Sequence, residues 1–257
     1  TGFATFANGG FLIKPYLIER IEDSFGNVIF QAEPAIACDD DCPTTISKQN
    51  EDPNLVTLDT TPKTVKKAER MISAQNAFLV TQALNSAIWG ADWSTAPHWQ
   101  GTGYRARKLG RRDIAGKTGT TNEAKDAWFS GFSRRLVATS WIGFDDHTRN
   151  LGQTAYNANL GRNQITGKEF GAKSAQPAWI SFMASALETL PVEPFKQPEN
   201  ILSVRIDKAS GKLTNKTDKS STFEYFMLGS EPVDYITTDT SEGILDGSAV
   251  QQIEELF

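Results

Sequence analysis

One short segment constrains the fold and the function of this chain more than any other. Residues 112–122 read Arg-Asp-Ile-Ala-Gly-Lys-Thr-Gly-Thr-Thr-Asn. β-Branched residues favour strands, and a strand alternates its side chains between two faces, so we expect a short β-strand with Thr118 and Thr120 on one face. A lysine, a bare glycine and several hydroxyls make such a strand edge cationic. An extended peptide could add along it as a further strand, with its terminal carboxylate held by the hydroxyls.

The same letters permit a second interpretation, which is a phosphate-binding P-loop. That motif needs a glycine, four residues and then Gly-Lys-Ser/Thr, followed by a helix whose N-terminal N–H groups bind phosphate. The required glycine position holds Arg111, and Gly110 lies one residue too far from Lys117. The residues after Lys117 are poor helix formers. A nucleotide-binding protein therefore remains only a remote alternative.

Composition and charge exclude several other classes. The formal net charge of -5 gives no indication of a nucleic-acid partner. No span reaches the roughly 20 apolar residues of a membrane helix. A signal-peptide pattern is also missing, but this absence excludes nothing in a sequence that begins as a fragment would. Thr1 lies inside a predicted helix, so we expect the sequence to be part of a longer polypeptide.

Two cysteines, Cys38 and Cys42, are separated by three aspartates. A disulfide across this short loop would fit an oxidising compartment, and two free thiols in an acidic surface loop fit the sequence equally well. No metal site is predicted, because two thiols and three carboxylates at this separation lack the usual ligand spacing. The bridge and the free thiols both stay open.

Short strands and two amphipathic helices account for the patterned parts of the chain. A hairpin is predicted over residues 18–31. Apolar residues recur at helical spacing over 73–89 and 175–190, which predicts two helices. Asp113 and Asp126 are expected to cap or pair within the turns rather than transfer protons. Three strands are expected over residues 112–118, 127–132 and 136–144, the last two as an antiparallel hairpin.

Polar and proline-containing stretches divide these elements. Residues 32–70 are expected to form a long loop that leaves the core, and residues 90–108 a second loop. Several prolines follow residue 190, so we predict a boundary there. Residues 191–257 are then expected to hold a small hairpin and an acidic tail.

The segment around Lys117 resembles the Lys-Thr-Gly-Thr box of the penicillin-binding acyl-serine transferases. Its flanks, residues 110–116 and 126–132, are similar to those of the bifunctional class A penicillin-binding proteins. The resemblance runs from residue 1 to about 190 and implies an α/β fold of the penicillin-binding and serine β-lactamase type. In that fold a mostly antiparallel sheet is flanked by helices, and the fold would be incomplete in this chain. Residues 1–190 would form the C-terminal part of the transpeptidase domain, and residues 191–257 a C-terminal extension.

The resemblance also implies an activity and roles for particular residues. It implies a peptidoglycan D,D-transpeptidase that cross-links stem peptides through an acyl-serine intermediate, needs no cofactor and is inhibited covalently by β-lactams. Lys117 and Thr120 are the expected catalytic residues, because Lys117 supplies a positive field and the Thr120 backbone N–H forms half of an oxyanion hole. The expected substrate-binding residues are Lys117, Thr118, Gly119 and Thr120, with both hydroxyls on the substrate carboxylate and Gly119 leaving the strand edge bare.

One departure from the family pattern matters for mechanism. The family's nucleophile lies in a Ser-x-x-Lys box, with a Ser-x-Asn box after it, and neither pattern occurs in this sequence. Both boxes are expected on an upstream part of the same polypeptide. The resemblance implies that this part also carries a glycosyltransferase domain and an anchor in the inner membrane, with the transpeptidase in the bacterial periplasm. A non-catalytic penicillin-binding sensor or scaffold is the main alternative.

Overall fold

The computed structural model describes residues 1–39, 42, 45–46, 63–92, 99–152 and 169–237. The chain divides into two compact units, Thr1–Lys196 and Gln197–Phe257. The domain boundary predicted after residue 190 lies close to this division and stays a prediction. The helices of the described part are α1 Gly2–Ala7, α2 Ala74–Trp89, α3 Gly171–Ser174 and α4 Gln176–Ala186, with short 3-10 helices at Tyr104–Leu109 and Asn122–Ala124. The strands of that part are β1 Phe11–Leu12, β2 Arg20–Glu22, β3 Val28–Gln31, β4 Thr45–Ile46, β5 Lys63–Thr64, β6 Glu69–Arg70, β7 Ala91–Asp92, β8 Trp99–Gln100, β9 Ala115–Thr120, β10 Asp126–Phe132, β11 Val137–Gly143, β12 Ile201–Asp207 and β13 Ser221–Met227.

A three-stranded antiparallel sheet in the order β11-β10-β9 lies at the centre of the first unit. The predicted hairpin of β10 and β11 is confirmed, and every named strand pair is antiparallel. The remaining strand of this sheet, β9, was predicted over residues 112–118 but runs from Ala115 to Thr120. Its start is displaced because the amide of Asn85 binds the carbonyls of Arg112 and Ile114, at 2.9 and 2.8 Å. Those backbone groups therefore bond to α2.

Helices cover both faces of this sheet. Phe129 and Phe132 leave β10 on opposite faces, because they are three residues apart on one strand. The Phe129 ring contacts Trp179 of α4, with 4.8 Å between ring centroids. Phe132 contacts Phe3 of α1 at 6.3 Å on the other face. The predicted architecture of a mostly antiparallel sheet flanked by helices is confirmed.

The main core lies between β10, the end of α2 and α4. Burying large apolar side chains here supplies the main favourable free energy of folding, about 1.5–3 kcal/mol for each one. The edge-to-face contact of Phe129 with Trp179 adds roughly 1 kcal/mol. The fully or nearly fully buried members of the core are Ile88, Ala106, Ile114, Ala127, Phe129, Ala175, Trp179, Met183 and Leu187.

Local sequence signals account for the remaining elements. The predicted helix at 73–89 is confirmed as α2, and its N-cap Ser73 accepts a 3.1 Å hydrogen bond from the Asn76 backbone N–H. The predicted hairpin at 18–31 is confirmed as β2 and β3. Asp23 closes its turn by accepting bonds from the backbone N–H groups of Phe25 and Asn27, at 2.9 and 2.8 Å. In the second unit, β12 and β13 form an antiparallel hairpin.

The structure joins Cys38 and Cys42 in a disulfide. Asp39, which lies between them, forms an ion pair with Arg70 of β6. The Arg70 guanidinium also donates to the Gly9 carbonyl and lies 4.0 Å above the Phe11 ring. The bridged loop is therefore attached through one arginine to the end of α1 and to β1.

Candidate active site

The predicted site residues lie on β9, which is an edge strand. Within the described residues, β9 pairs with β10 on one side and has no strand on the other. The Thr121 backbone N–H donates to the Asp126 carbonyl at 3.1 Å. Because alternate residues of an antiparallel strand face the partner, the N–H groups of Thr118 and Thr120 face the open edge. A substrate backbone or a developing oxyanion at this edge would meet those two donors.

Lys117 and Thr118 form a small polar network with Thr102. The Lys117 ammonium lies 3.3 Å from Thr118 Oγ1 and 3.4 Å from Thr102 Oγ1. Thr118 Oγ1 donates to Thr102 Oγ1 at 2.9 Å. Lys117 is exposed, and its side chain curves over the open edge of β9 to reach these hydroxyls. The network gathers one positive charge and two hydroxyl groups at a single point on the edge.

Thr118 and Thr120 both border a cavity of about 330 Å³ beside this edge. The two side chains share a face of the strand, as the sequence predicts. The Gly171 backbone N–H donates to Thr120 Oγ1 at 3.0 Å, so the Thr120 hydroxyl keeps its own proton for another acceptor. The lining residues are Gln100, Gly101, Thr102, Tyr104, Arg105, Thr118, Thr120, Phe170, Gly171 and Ala172.

Sequence reasoning missed the part of the cavity that comes from the Gln100–Arg105 and Phe170–Ala172 segments. Arg105 brings a second positive charge, and its guanidinium donates to the Ala172 carbonyl. Glu169 precedes α3 and bonds to Lys173 Nζ at 2.8 Å and to the Ser174 hydroxyl. These hydrogen bonds, first that from Lys173 and then that from Ser174, lower the pKa of the Glu169 carboxyl. The Gly-Thr-Gly run at 101–103 was the one local signal in the first of these segments.

Gly119 faces a neighbour that the sequence did not predict. A Cβ atom added at Gly119 would point toward Trp128, 3.1 Å from the Trp128 Cβ atom. Gly119 and Trp128 are paired across the two strands. Because side chains alternate along a strand, the space between them lies on the opposite face of the sheet from Thr118 and Thr120. A side chain here would meet Trp128 first and disturb the substrate edge only indirectly.

Asp113 and Asp126 do not line the cavity. Asp113 is paired with Arg111, with 2.7 Å between Nη2 and Oδ2. Asp126 accepts a 2.9 Å bond from the Trp141 indole N–H. Both are nearly buried, and both have the structural pairing expected of them. His147 is exposed beside Asp126, and His98 lies outside the described residues.

An open strand edge with Lys-Thr-Gly-Thr over a hydroxyl-lined cavity agrees with the comparison to protein families. A family model described as the penicillin binding protein transpeptidase domain matches residues 1–152. The chain belongs to the penicillin-binding protein transpeptidase domain family.

The chain is also similar to individual members of this family. The chain is 46% identical over 257 residues to penicillin-binding protein 1A of Vibrio cholerae, covering 100% of this chain and 30% of that protein. It is 40% identical to penicillin-binding protein 1A of Escherichia coli, covering 98% of this chain and 32% of that protein. The crystal structure of penicillin-binding protein 1A from Haemophilus influenzae superposes with a TM-score of 0.69 at 39% identity. That match covers 91% of this chain and 32% of the other. The chain therefore spans less than a third of the length of these relatives.

Proposed function

We propose that this chain is the C-terminal part of the transpeptidase domain of a bifunctional peptidoglycan synthase. The whole polypeptide is then a D,D-transpeptidase that cross-links stem peptides through an acyl-serine intermediate. The observation that carries the proposal is the open edge of β9, where Lys117 and the Thr118 hydroxyl meet beside the cavity that Thr120 also lines.

The chemistry of the reaction explains why these groups are useful. A stem peptide that ends in D-Ala-D-Ala has an extended backbone and a free carboxylate. The Thr120 hydroxyl can donate to that carboxylate, and Lys117 favours its negative charge. The Thr118 hydroxyl donates to Thr102 Oγ1 in the free site and can donate to the carboxylate by turning away from Thr102. The outward N–H of Thr120 can donate to the oxyanion that forms when serine attacks the peptide carbonyl. One such donor contributes about two to three powers of ten in rate.

The nucleophile belongs to another part of the polypeptide in this proposal. Neither Ser-x-x-Lys nor Ser-x-Asn occurs among the 257 residues, and the relatives are about three times as long as this chain. We place both boxes upstream, together with a glycosyltransferase domain and an anchor that holds the enzyme in the inner membrane, facing the periplasm. In the described part of the chain itself, no helix is long and apolar enough to cross a membrane. Serine acylation of this kind uses protein groups only, so the proposal includes no cofactor.

Two alternatives make different predictions. A P-loop protein needs its lysine at the start of a helix, whereas Lys117 lies in the middle of strand β9. That position argues against nucleotide binding. A penicillin-binding sensor or scaffold would keep the same site and react with β-lactams, but it could lack the upstream glycosyltransferase domain and need not turn over stem peptides.

Labelling with a fluorescent penicillin tests the proposal. The intact polypeptide is expected to form a covalent adduct that unlabelled penicillin blocks, and residues 1–257 alone are expected to form none. An unlabelled intact polypeptide would contradict the function, and an adduct on residues 1–257 would contradict the upstream nucleophile. Release of D-alanine and formation of cross-linked dimers from a pentapeptide substrate then distinguish an enzyme from a sensor.

A further inference from the structure

The hydroxyl of Thr102 lies beside Lys117 and Thr118 but belongs to no motif used above. We infer that Thr102 is a further substrate-binding residue, whose hydroxyl donates to the substrate carboxylate and holds the Thr118 side chain in place. This inference rests on the proposed transpeptidase function and adds a specific residue to its anion-binding site.

The backbone around Thr102 is fixed against the end of α2. The Gly101 N–H donates to the Gly90 carbonyl, and the Gly103 N–H donates to the Ala87 carbonyl, both at 2.9 Å. A Cβ atom at Gly101 would lie 2.2 Å from the Ala87 carbonyl oxygen, so this approach requires glycine. The two glycines on either side of Thr102 thus hold its backbone directly against the helix.

A second set of contacts holds the same segment from other directions. The fully buried Gln176, the first residue of α4, donates to the Gly103 carbonyl at 2.7 Å. Arg107 binds the carbonyls of Ile88 and Gly90 at 2.7 and 2.9 Å. Between these attachments the Thr102 side chain is exposed and borders the cavity. An exposed side chain on a backbone held from both sides is a preorganised ligand, which loses little conformational entropy on binding.

Among the hydrogen-bond donors of Lys117, Thr118 and Thr102, one proton is left for a ligand. The Lys117 ammonium has three protons and three neighbouring acceptors, namely the Thr118 carbonyl and the hydroxyl oxygens of Thr118 and Thr102, at 3.2, 3.3 and 3.4 Å. The Thr118 hydroxyl donates to Thr102 Oγ1. The Thr102 hydroxyl then keeps its own proton, for which the described residues supply no acceptor.

The chain of donors therefore ends in the cavity. Hydrogen bonds in series polarise one another, so a hydroxyl that accepts from an ammonium and from another hydroxyl becomes a better donor. The group best suited to accept this proton is an anion, because Lys117 and Arg105 make the surroundings positive. A substrate carboxylate bound by the Thr120 hydroxyl would lie in this cavity, which Thr102 also lines.

The test compares Thr102→Val with Thr102→Ser in the intact polypeptide. Valine keeps the shape of threonine without its hydroxyl, and serine keeps the hydroxyl. With benzylpenicillin, Thr102→Val is expected to lower the second-order acylation constant roughly 10- to 100-fold, mainly through weaker binding of the non-covalent complex. Thr102→Ser is expected to stay within about threefold of wild type, because it keeps the charged hydrogen bond.

The methyl ester of benzylpenicillin is the probe that separates carboxylate binding from a general structural role. Since the ester lacks the anionic acceptor, wild type and Thr102→Val are expected to react with it at rates within about threefold of each other. Thr222→Val in β13 is the matched control, because it removes the hydroxyl of a partly exposed threonine that, within the described part of the chain, hydrogen-bonds only to the Phe223 carbonyl, at 3.5 Å. It is expected to leave both rates unchanged.

The outcomes distinguish the proposed function from the inference about Thr102. If wild type is not acylated by benzylpenicillin, the proposed function fails. If wild type reacts and Thr102→Val matches it with the acid, the inference about Thr102 is wrong and the function stands. The inference also fails if Thr102→Val slows the acid and the ester equally, or if serine does not restore the rate.

Discussion

Replacing Arg111 by methionine should destabilise the first unit strongly, because one guanidinium there makes five hydrogen bonds. Its Nε and Nη2 atoms bind the Asp113 carboxylate at 3.1 and 2.7 Å. Its remaining donors reach the carbonyls of Leu187, Leu190 and Pro191, at 3.2, 2.8 and 2.7 Å. The Asp113 side chain is only 2% exposed. Arg111 thereby ties the residues before β9 to the chain that leaves α4.

The magnitude follows from what methionine would leave behind. Asp113 would keep one described donor, the Glu193 backbone N–H at 3.0 Å, and would lose its buried counter-charge. Removing one partner of a buried ion pair costs about 3–5 kcal/mol of unfolding free energy. In a unit of this size each kcal/mol lowers the melting temperature by about 2–4 °C. The expected fall in melting temperature is therefore about 6–20 °C.

Differential scanning calorimetry of the intact polypeptide measures this change. Arg112→Met is the matched control, because the neighbouring Arg112 is exposed and its guanidinium lies 4.1 Å above the Trp89 ring. That exposed cation–π contact contributes about 0.5–1 kcal/mol, so this variant should melt within a few degrees of wild type. Equal melting temperatures for the two variants would refute the stabilising role of the Arg111 network.

Three further predictions concern the site and the bridged loop. Thr118→Ala and Thr120→Ala should each slow acylation of the intact polypeptide about tenfold or more and cost only about 1 kcal/mol of stability; wild-type acylation rates in both variants would rule out the assigned carboxylate site. Glu169→Gln should lower the free energy of unfolding at neutral pH by at most about 1 kcal/mol, because the carboxylate is partly exposed, and the melting temperature should fall only slightly. The pKa of Glu169 is lowered in the folded protein. Its contribution to stability is therefore complete above the ordinary glutamate pKa and is lost as the pH falls through the lowered value. Wild type and Glu169→Gln should consequently melt alike in acid. A difference that persists in acid would assign the effect to something other than charge. Thiol counting on the unreduced, denatured protein should find Cys38 and Cys42 both blocked, and reduction should cost at most about 2 kcal/mol because the closed loop is short; two free thiols would exclude the bridge in solution.

Local signals predicted the elements whose causes are local. Ser73 accepts its capping bond from Asn76, three residues along the chain, and Asp23 closes a turn of five residues. Such bonds need no distant partner, so the residue types alone were enough to predict α2 and the first hairpin. The start of β9 was misplaced by three residues because Asn85 of α2, a residue distant in sequence, binds the carbonyls that precede the strand.

In the candidate site, too, the sequence predicted the features with local causes and missed those that depend on distant residues. The alternation of a strand put Thr118 and Thr120 on one face, and the register of β9 and β10 agrees with it. The tight space at Gly119 could not be predicted in the same way, because it comes from Trp128 on the neighbouring strand. Thr102 carried only a weak signal, since its meaning depends on contacts with α2 and α4.

By itself the sequence predicted a strand with Lys117 and Thr118, and placed Thr118 and Thr120 on one face, because strand alternation and motif spacing are properties of neighbouring residues. It also determined that the serine boxes of the family are absent from these 257 residues. Only the tertiary structure decided what surrounds that strand. Residues 102, 105 and 171 lie beside β9 because the end of α2 and the start of α4 hold the segment around residue 102, and the Thr120 hydroxyl binds the backbone of Gly171. Packing of this kind depends on the complementary shapes of surfaces far apart in the chain, and no local pattern of residues encodes it.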